Sequence, residues 1–255
     1  MFHTLKTHQF LFEELVKRDF KKKYKRTVLG MFWSLLSPLI MLLVMRLVFT
    51  QFFGRTTPHY TIYLFCGNLV YSFFSESTTQ GMTSLLSNAP IFTKVNVPKY
   101  LFLFSKNVQC LINFGITLCV FFFFCILDHI AFTWRMIMLI YPIVFLLIFN
   151  LGVGMVLSAL FVFFRDMQYL WQIATQIIMY FSAIFYTIDN FSPAVQRVFL
   201  ANPVYLFIRY FRMIVIDLTI PSLQYHLLMA SVSLLFLGVG CRVYKKYNHR
   251  FLYYV

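Results

Sequence analysis

Acidic side chains are scarce in this chain: 8 Asp and Glu stand among 255 residues, against 22 Lys and Arg. Acid–base chemistry on paired carboxylates has little to draw on, and the one adjacent pair, Glu13 and Glu14, falls in a basic segment. His3, His8, His59, His129, His226 and His249 are scattered, so neither a metal site nor a catalytic constellation emerges. Cys66, Cys110, Cys119, Cys125 and Cys241 are odd in number, form no C-x-x-C pair and lie mostly in apolar runs, where they suit small packing residues. No G-x-x-x-x-G-K-[ST] phosphate cradle occurs, so any ATP hydrolysis has to come from another chain. Charge of either sign amounts to only 12%.

What fills the chain instead is apolar: 60% of residues are hydrophobic and 33 are Phe. A formal charge of +14 would make nucleic acid the first partner of a soluble protein, but this composition is too apolar for one and implies a membrane protein. Residues 27–45, 107–127, 136–164, 167–188 and 218–241 carry no charge, and 56–93 carries only Glu76. A helix crosses the hydrocarbon core with roughly 20 residues, so each run can span. Six spans are predicted, near 30–53, 61–80, 100–127, 136–163, 168–186 and 224–242. The first follows a long basic region without a small-residue cleavage site, so it is expected to stay in the mature protein.

With six spans, the flanking cations divide 16 against 5, the larger group lying with the two termini. By the positive-inside rule both termini face the cytoplasm. Within the first 29 residues, Leu5, Phe12, Val16, Phe20 and Tyr24 recur at four- and seven-residue spacing with cations between them. That pattern predicts an amphipathic helix in the membrane interface, its basic face toward anionic headgroups, or else a solvated charge run that sets topology. Residues 30–255 form the transmembrane domain. Its cytoplasmic loop, 81–99, offers a short helix followed by Asn96 and Pro98 as breakers. The outer segment 184–221 is apolar but broken by Asp189, Pro193, Pro203 and Pro221, which predicts re-entrant half-helices.

The order Arg18-Asp19, Tyr24, Leu29-Gly30, Trp33, Pro38 resembles the start of the ABC-2 type permeases that export O-antigen, capsule or teichoic-acid polysaccharides. NAPIFTKVNVPK at 88–99, FFRD at 163–166 and an outer segment with Asn202-Pro203 and Arg209 agree with it. The resemblance implies a half-transporter of a bacterial cytoplasmic membrane. Two copies pair around a channel, two separate P-loop subunits bind ATP and magnesium beneath, and a lipid-linked glycan is the substrate. The chain itself would hold no cofactor. Two positions depart from the family pattern. Ala183 stands where a proline often follows the fifth span, and Lys99 puts a point charge where the family often has the forked donors of Arg.

The same resemblance makes Asn88, Pro90, Lys94, Pro98 and Lys99 a coupling loop seated on the ATPase; the plainer alternative is a topogenic loop. Arg18, Lys21, Lys22, Lys23 and Tyr24, with Gly30 and Trp33 beyond, are candidates for recruiting the lipid diphosphate and gating its entry. Arg165 and Asp166 suit a helix boundary at the cytoplasmic mouth, Arg165 at a negative C-terminus and Asp166 capping the next helix; a gate is the alternative. Arg209 and Arg212 share a helix face at the outer exit, where they either hold a departing diphosphate or sugar acid or snorkel to lipid phosphates. Arg46 snorkels in the simplest reading, and Glu76 either lines a wet sugar path or lies in the interface. Aromatics at 20% would suit a sliding glycan, with Trp33, Tyr24 and Tyr186 as candidates. Three readings compete with glycan export: an ABC-2 exporter of a drug or small lipid, a solitary membrane-embedded enzyme of envelope synthesis, and a membrane scaffold without transport.

Overall fold

The computed structural model describes residues 9–24, 30–53, 58–95, 97–188, 191–248, 250–252 and 254, with side chains at 22–24, 31, 34 and 50–53 outside that description. Every regular element among them is helical. In chain order these are α1 (Gln9–Tyr24), α2 (Trp33–Phe53), α3 (Tyr60–Ser87), α4 (Ala89–Phe92), α5 (Tyr100–Leu127), α6 (Ile140–Phe163), α7 (Met167–Tyr180), α8 (Pro193–Leu200), α9 (Pro203–Val215) and α10 (Leu223–Tyr247). Short 3-10 turns precede α2 and α6 and follow α10.

Three helical stretches are long and apolar enough to cross a membrane: Tyr100–Leu127, Trp134–Phe163 and Leu223–Tyr247. The pair α8 and α9, bent by 102°, makes a fourth if taken as one broken span. The chain is therefore an integral membrane protein. The remaining predicted spans differ for physical reasons. α3 has 28 residues, ample for a crossing, but polar side chains along one face keep it out of the most apolar set. α7 stops after 14 residues, a rise of about 21 Å, because the backbone turns away at Ala183 with φ 47°. Its break thus falls at the residue that departs from the family's proline.

Local chemistry fixes the ends of these helices. Asn202 accepts from the Val204 amide at 3.0 Å, Pro203 follows in the first turn, and α9 starts there. Ser222 accepts from the Tyr225 amide at 3.4 Å to open α10, which closes on Lys245 and Lys246 near the negative helix end. α6 is the central post. An added Cβ at Gly152 would lie 2.4 Å from the Leu237 nitrogen of α10, and one at Gly81 on α3 would lie 3.3 Å from the Gly154 Cα of α6. Glycine is thus what lets three backbones meet, the usual device where lipid supplies no hydrophobic drive between helices.

Buried apolar side chains form a main core between α3, α5, α6 and α9 and a second cluster at one end of the bundle. That second cluster contains Leu15 of α1, Phe92 and Val97 of the 81–99 loop, and Phe251 of the tail. Both terminal segments therefore meet at one end, called here the basic end; the opposite one is the far end.

Candidate functional site

α3 carries Asn68, Ser72, Ser75, Glu76, Thr79, Gln80, Thr83 and Ser87 at three- and four-residue intervals. At about 100° per residue they fall within one arc of roughly 140°. From Ser72 onward all are half-buried or exposed, whereas Phe73, Phe74, Ser77, Thr78, Gly81 and Met82 on the other side are buried. The stripe rises about 28 Å, close to the thickness of a hydrocarbon core. α2 packs against both α3 and α5, and further helices surround the rest of α3. α5 stands on one flank, where Asn113 Nδ2 donates to Glu76 Oε1 at 3.1 Å and Phe73 meets Phe114. Behind stands α6, through Gly154 and the Phe74–Phe149 ring pair. On the other flank stands α7, where the Tyr71 hydroxyl donates to the Thr175 carbonyl at 3.0 Å and Phe74 meets Trp171. α7 adds its own polar row, Gln168, Gln172 and Gln176, all exposed. Glu76 is also bonded by Gln80 Nε2 at 3.0 Å, so a carboxylate at membrane depth is held by two amide donors. Sequence reading singled out Glu76 alone, although the spacing of its neighbours was the available signal for the whole row.

At the far end, the irregular backbone after α7 is stapled by side chains. Asn202 Nδ2 donates to the Phe181 carbonyl at 3.0 Å, Tyr60 to Phe185 at 2.7 Å, and Tyr63 to Tyr186 at 2.7 Å. Arg212 does most: Nη1 reaches the Ala183 carbonyl at 3.0 Å, Nη2 reaches Ile184 at 3.2 Å and Tyr63 at 3.3 Å, and the guanidinium lies 3.4 Å from the Tyr63 ring centre. Non-helical backbone survives in lipid only with such partners. The expectation of a free Arg212 at an outer exit, or of one snorkelling to lipid, is corrected here. The residue is 7% exposed, its side chain turned inward onto carbonyls. Arg209 is half-buried and shares with Arg212, Tyr63, Thr187, Tyr205 and Asp217 the wall of a cavity of about 380 Å³. Tyr186, proposed for glycan contact, is engaged structurally through its carbonyl and through its hydroxyl, which donates to the Tyr180 carbonyl at 2.7 Å.

At the basic end, α1 does not turn its predicted apolar row fully inward. The buried positions are Leu15 and Asp19, flanked by half-buried Leu11, Phe12, Val16 and Phe20, and they pack on the start of α5. Asp19, 1% exposed at its side chain, pairs with Lys106 of α5 at 3.0 Å and with Arg18 at 2.7 Å. Arg18 also donates to Asn88 Oδ1 at 2.7 Å, and Asn88 Nδ2 donates to the Ser84 carbonyl at 2.8 Å. This network joins α1, α3 and α5 through an acid that hydropathy patterning did not mark. Lys17 and Lys21 remain exposed; Lys22, Lys23 and Tyr24 continue the helix with side chains outside the description.

The residues of the 81–99 loop separate into two groups. Asn88 and Lys99 are buried, while Pro90, Lys94 and Val95 are exposed and Pro98 is half-buried. Lys99 donates to the Asn248 carbonyl of the tail and lies 5.9 and 5.7 Å from the Phe92 and Phe251 ring centres. Burial draws its ammonium below the ordinary lysine value. Gly30 has φ 52°, a turn that favours glycine, just before the 41% exposed Trp33. Arg165 and Asp166 occupy the break between α6 and α7. Arg165 donates to the Tyr254 carbonyl at 3.5 Å, and Asp166 holds the N-cap position of α7 without a side-chain hydrogen bond, so its contribution there is charge.

Three curated relatives align over nearly the whole chain. An O-antigen export system permease protein RfbA of Klebsiella pneumoniae is 24% identical over 251 residues, covering 95% of both chains. A second from the same organism is 23% identical, and one from Myxococcus xanthus is 27% identical over 246 residues, 93% of this chain and 92% of that one. Residues 11–216, from α1 through the broken far-end pair, match the family described as ABC-2 type transporter, and the chain belongs to that family.

Proposed function

We propose that this chain is the membrane-spanning subunit of an ATP-driven exporter of lipid-linked polysaccharide in a bacterial cytoplasmic membrane. The observation that carries the reading is the polar row on α3, a hydroxyl- and amide-lined strip about as long as the bilayer core is thick, half-buried to exposed from Ser72 onward between α5 and α7. Sugar hydroxyls need such partners along the whole crossing; a compact apolar drug or lipid does not. The printed names of the relatives support the same substrate class.

In this proposal the six-span arrangement holds, with α2, α3 and α7 as further crossings, both termini cytoplasmic and α8–α9 re-entrant from outside. Two copies pair with their α3 rows facing each other and enclose a path. Lys21 and its neighbours on α1 attract the lipid diphosphate, with Arg18 half-engaged in holding α1 to the bundle. Gly30 and Trp33 then shape the entry. Two copies of a P-loop ATPase, with ATP and magnesium, seat against the exposed Pro90, Lys94 and Val95, while buried Asn88 and Lys99 pass their movement to α1, α3 and the tail. Arg165 and Asp166 line the cytoplasmic mouth, and Arg209 meets the substrate at the outer side.

The test is copurification in mild detergent followed by deletion of the gene. A soluble P-loop chain at one copy per permease, with lipid-linked glycan accumulating inside deleted cells and vanishing from their surface, is the expected result. A stoichiometric ATPase without glycan accumulation would favour the exporter of a drug or small lipid, and no ATPase at all would favour the solitary enzyme.

A further inference from the structure

A cavity of about 530 Å³ lies at the basic end. Lys99 and Tyr100 line it from the start of α5, Met155 from α6, and Cys241, Lys245 and Asn248 from the end of α10. α5 and α10 are both long and apolar enough to cross a membrane, and the cavity lies where one begins and the other ends, at the level of lipid headgroups. Among the described residues, two lysines line it and no acid does.

Lys99 is 8% exposed, and a buried ammonium is ordinarily matched by an acid. Its neighbours among the described residues are neutral: the Asn248 carbonyl accepts from it, and the Phe92 and Phe251 ring centres lie 5.9 and 5.7 Å away. The acids of α1, which packs nearby through Leu15, are engaged elsewhere. Glu13 is bonded by Gln9 at 2.9 Å, Glu14 by Lys17 at 3.0 Å and Asp19 by Lys106 at 3.0 Å. The helix ends favour the same sign of ligand. α5, 28 residues long, opens at the cavity with no side-chain cap and no acid in its first turn to offset its positive end. The negative end of α10 is answered by Lys99 itself, through the C-cap carbonyl of Asn248.

An apolar row runs from this cavity back along α10. Leu234, Gly238, Cys241, Lys245 and Asn248 recur at three- and four-residue spacing, within an arc of roughly 80° at about 100° per residue. Leu234 and Cys241 are exposed, and a Cβ added at Gly238 meets nothing within 4 Å, so the row is shallow where its small residues stand. From Leu234 to Lys245 it rises about 16 Å, roughly half the thickness of the hydrocarbon core. A cationic cavity at headgroup level, continued by an apolar row one leaflet long, fits a phosphate carried on an acyl chain. We infer that it binds an anionic phospholipid of the surrounding bilayer, with the phosphate between Lys99 and Lys245 and one acyl chain along Leu234, Gly238 and Cys241. The inference does not depend on what the exporter carries.

In the test, the full-length chain is stripped of lipid in detergent and titrated with phosphatidylglycerol or phosphatidylcholine of identical acyl chains, and lipid-bound species are counted by native mass spectrometry. The wild type is expected to take up one phosphatidylglycerol on the order of twentyfold more tightly than phosphatidylcholine, at about fivefold for each of the two cations. Lys245→Gln, at an exposed position, should lower that preference about fivefold, and Lys99→Met should do the same. Arg250 lines a separate cavity with Val243 and Tyr247 on the opposite side of α10, so Arg250→Gln should leave the preference unchanged. Gly238→Leu fills the row and should weaken both lipids severalfold while keeping their ratio. If Lys99→Met does not fold, the other three variants decide. Equal affinity of the wild type for both lipids, or equal losses in Lys245→Gln and Arg250→Gln, overturns the inference. Displacement of phosphatidylglycerol by millimolar inorganic phosphate would assign the cavity to a free anion. Tighter binding of a polyprenyl diphosphate than of phosphatidylglycerol would assign it to a carrier lipid, and either result overturns the inference as well.

Discussion

The two ends of the molecule both tie cations to oxygen acceptors but use them differently. At the far end Arg212 is turned onto backbone carbonyls, because the chain between α7 and α9 is irregular at membrane depth and its oxygens need donors. At the basic end Arg18 and Lys106 are turned onto Asp19 and Asn88, side chains that join three helices whose own backbones are already satisfied. The far end is built to hold an unusual conformation. The basic end joins segments distant in the chain, and it leaves Pro90, Lys94 and Val95 exposed.

Substitutions should separate these roles by size of effect. Arg212→Met strands the carbonyls of Tyr63, Ala183 and Ile184, so it should cost on the order of 3 kcal/mol or more and leave little monodisperse protein in detergent. Arg212→Lys should recover only part, since one ammonium cannot reproduce the fork. Full stability of Arg212→Met in a thermal melt would mean the carbonyls are served otherwise.

Next in size is the packing of the central post. Gly152→Ala places a methyl 2.4 Å from the Leu237 nitrogen and 2.5 Å from the Phe236 carbonyl carbon, which should force α6 and α10 apart at about 1–3 kcal/mol. Gly238→Ala meets nothing within 4 Å and should be neutral or better. Equal melting temperatures for the two variants would contradict the close approach.

Asp19→Asn should follow, at about 1–2 kcal/mol, because an amide cannot serve both Arg18 and Lys106 as a carboxylate does. Its signature is local: hydrogen exchange should quicken across residues 9–24 and leave α6 and α10 unchanged. The smallest effect on stability belongs to Lys94→Glu, within about 0.5 kcal/mol because the side chain is exposed. The same variant should release the ATPase in a copurification assay. Retained ATPase with Lys94→Glu, and its loss with a well-folded variant at the far end, would reverse the assignment of the two ends.

Much of this architecture was legible beforehand. The charge-free runs gave helices close to their observed positions, Asn202-Pro203 marked the start of α9, and Arg165-Asp166 marked the break between α6 and α7. What was not legible involves partners distant in the chain. Nothing local to Arg212 reveals that its donors go to Ala183 and Tyr63, and a basic, amphipathic α1 gives no hint that Asp19 faces inward. Asn88 and Lys94 read alike as members of one loop, yet one is buried in a hydrogen-bond network and the other is exposed.

The sequence by itself determined the solvent and the periodicity: a chain so apolar has to lie in lipid, and in lipid its backbone has to be helical wherever no other partner is at hand. It also determined that cations collect beside the termini and leave the crossings nearly free of charge. Only the tertiary structure decided which face of α3 the other helices cover and which acceptors the cations meet. Hydropathy is a property of each residue and its near neighbours, whereas a hydrogen-bond partner or an uncovered face depends on where the other helices stand.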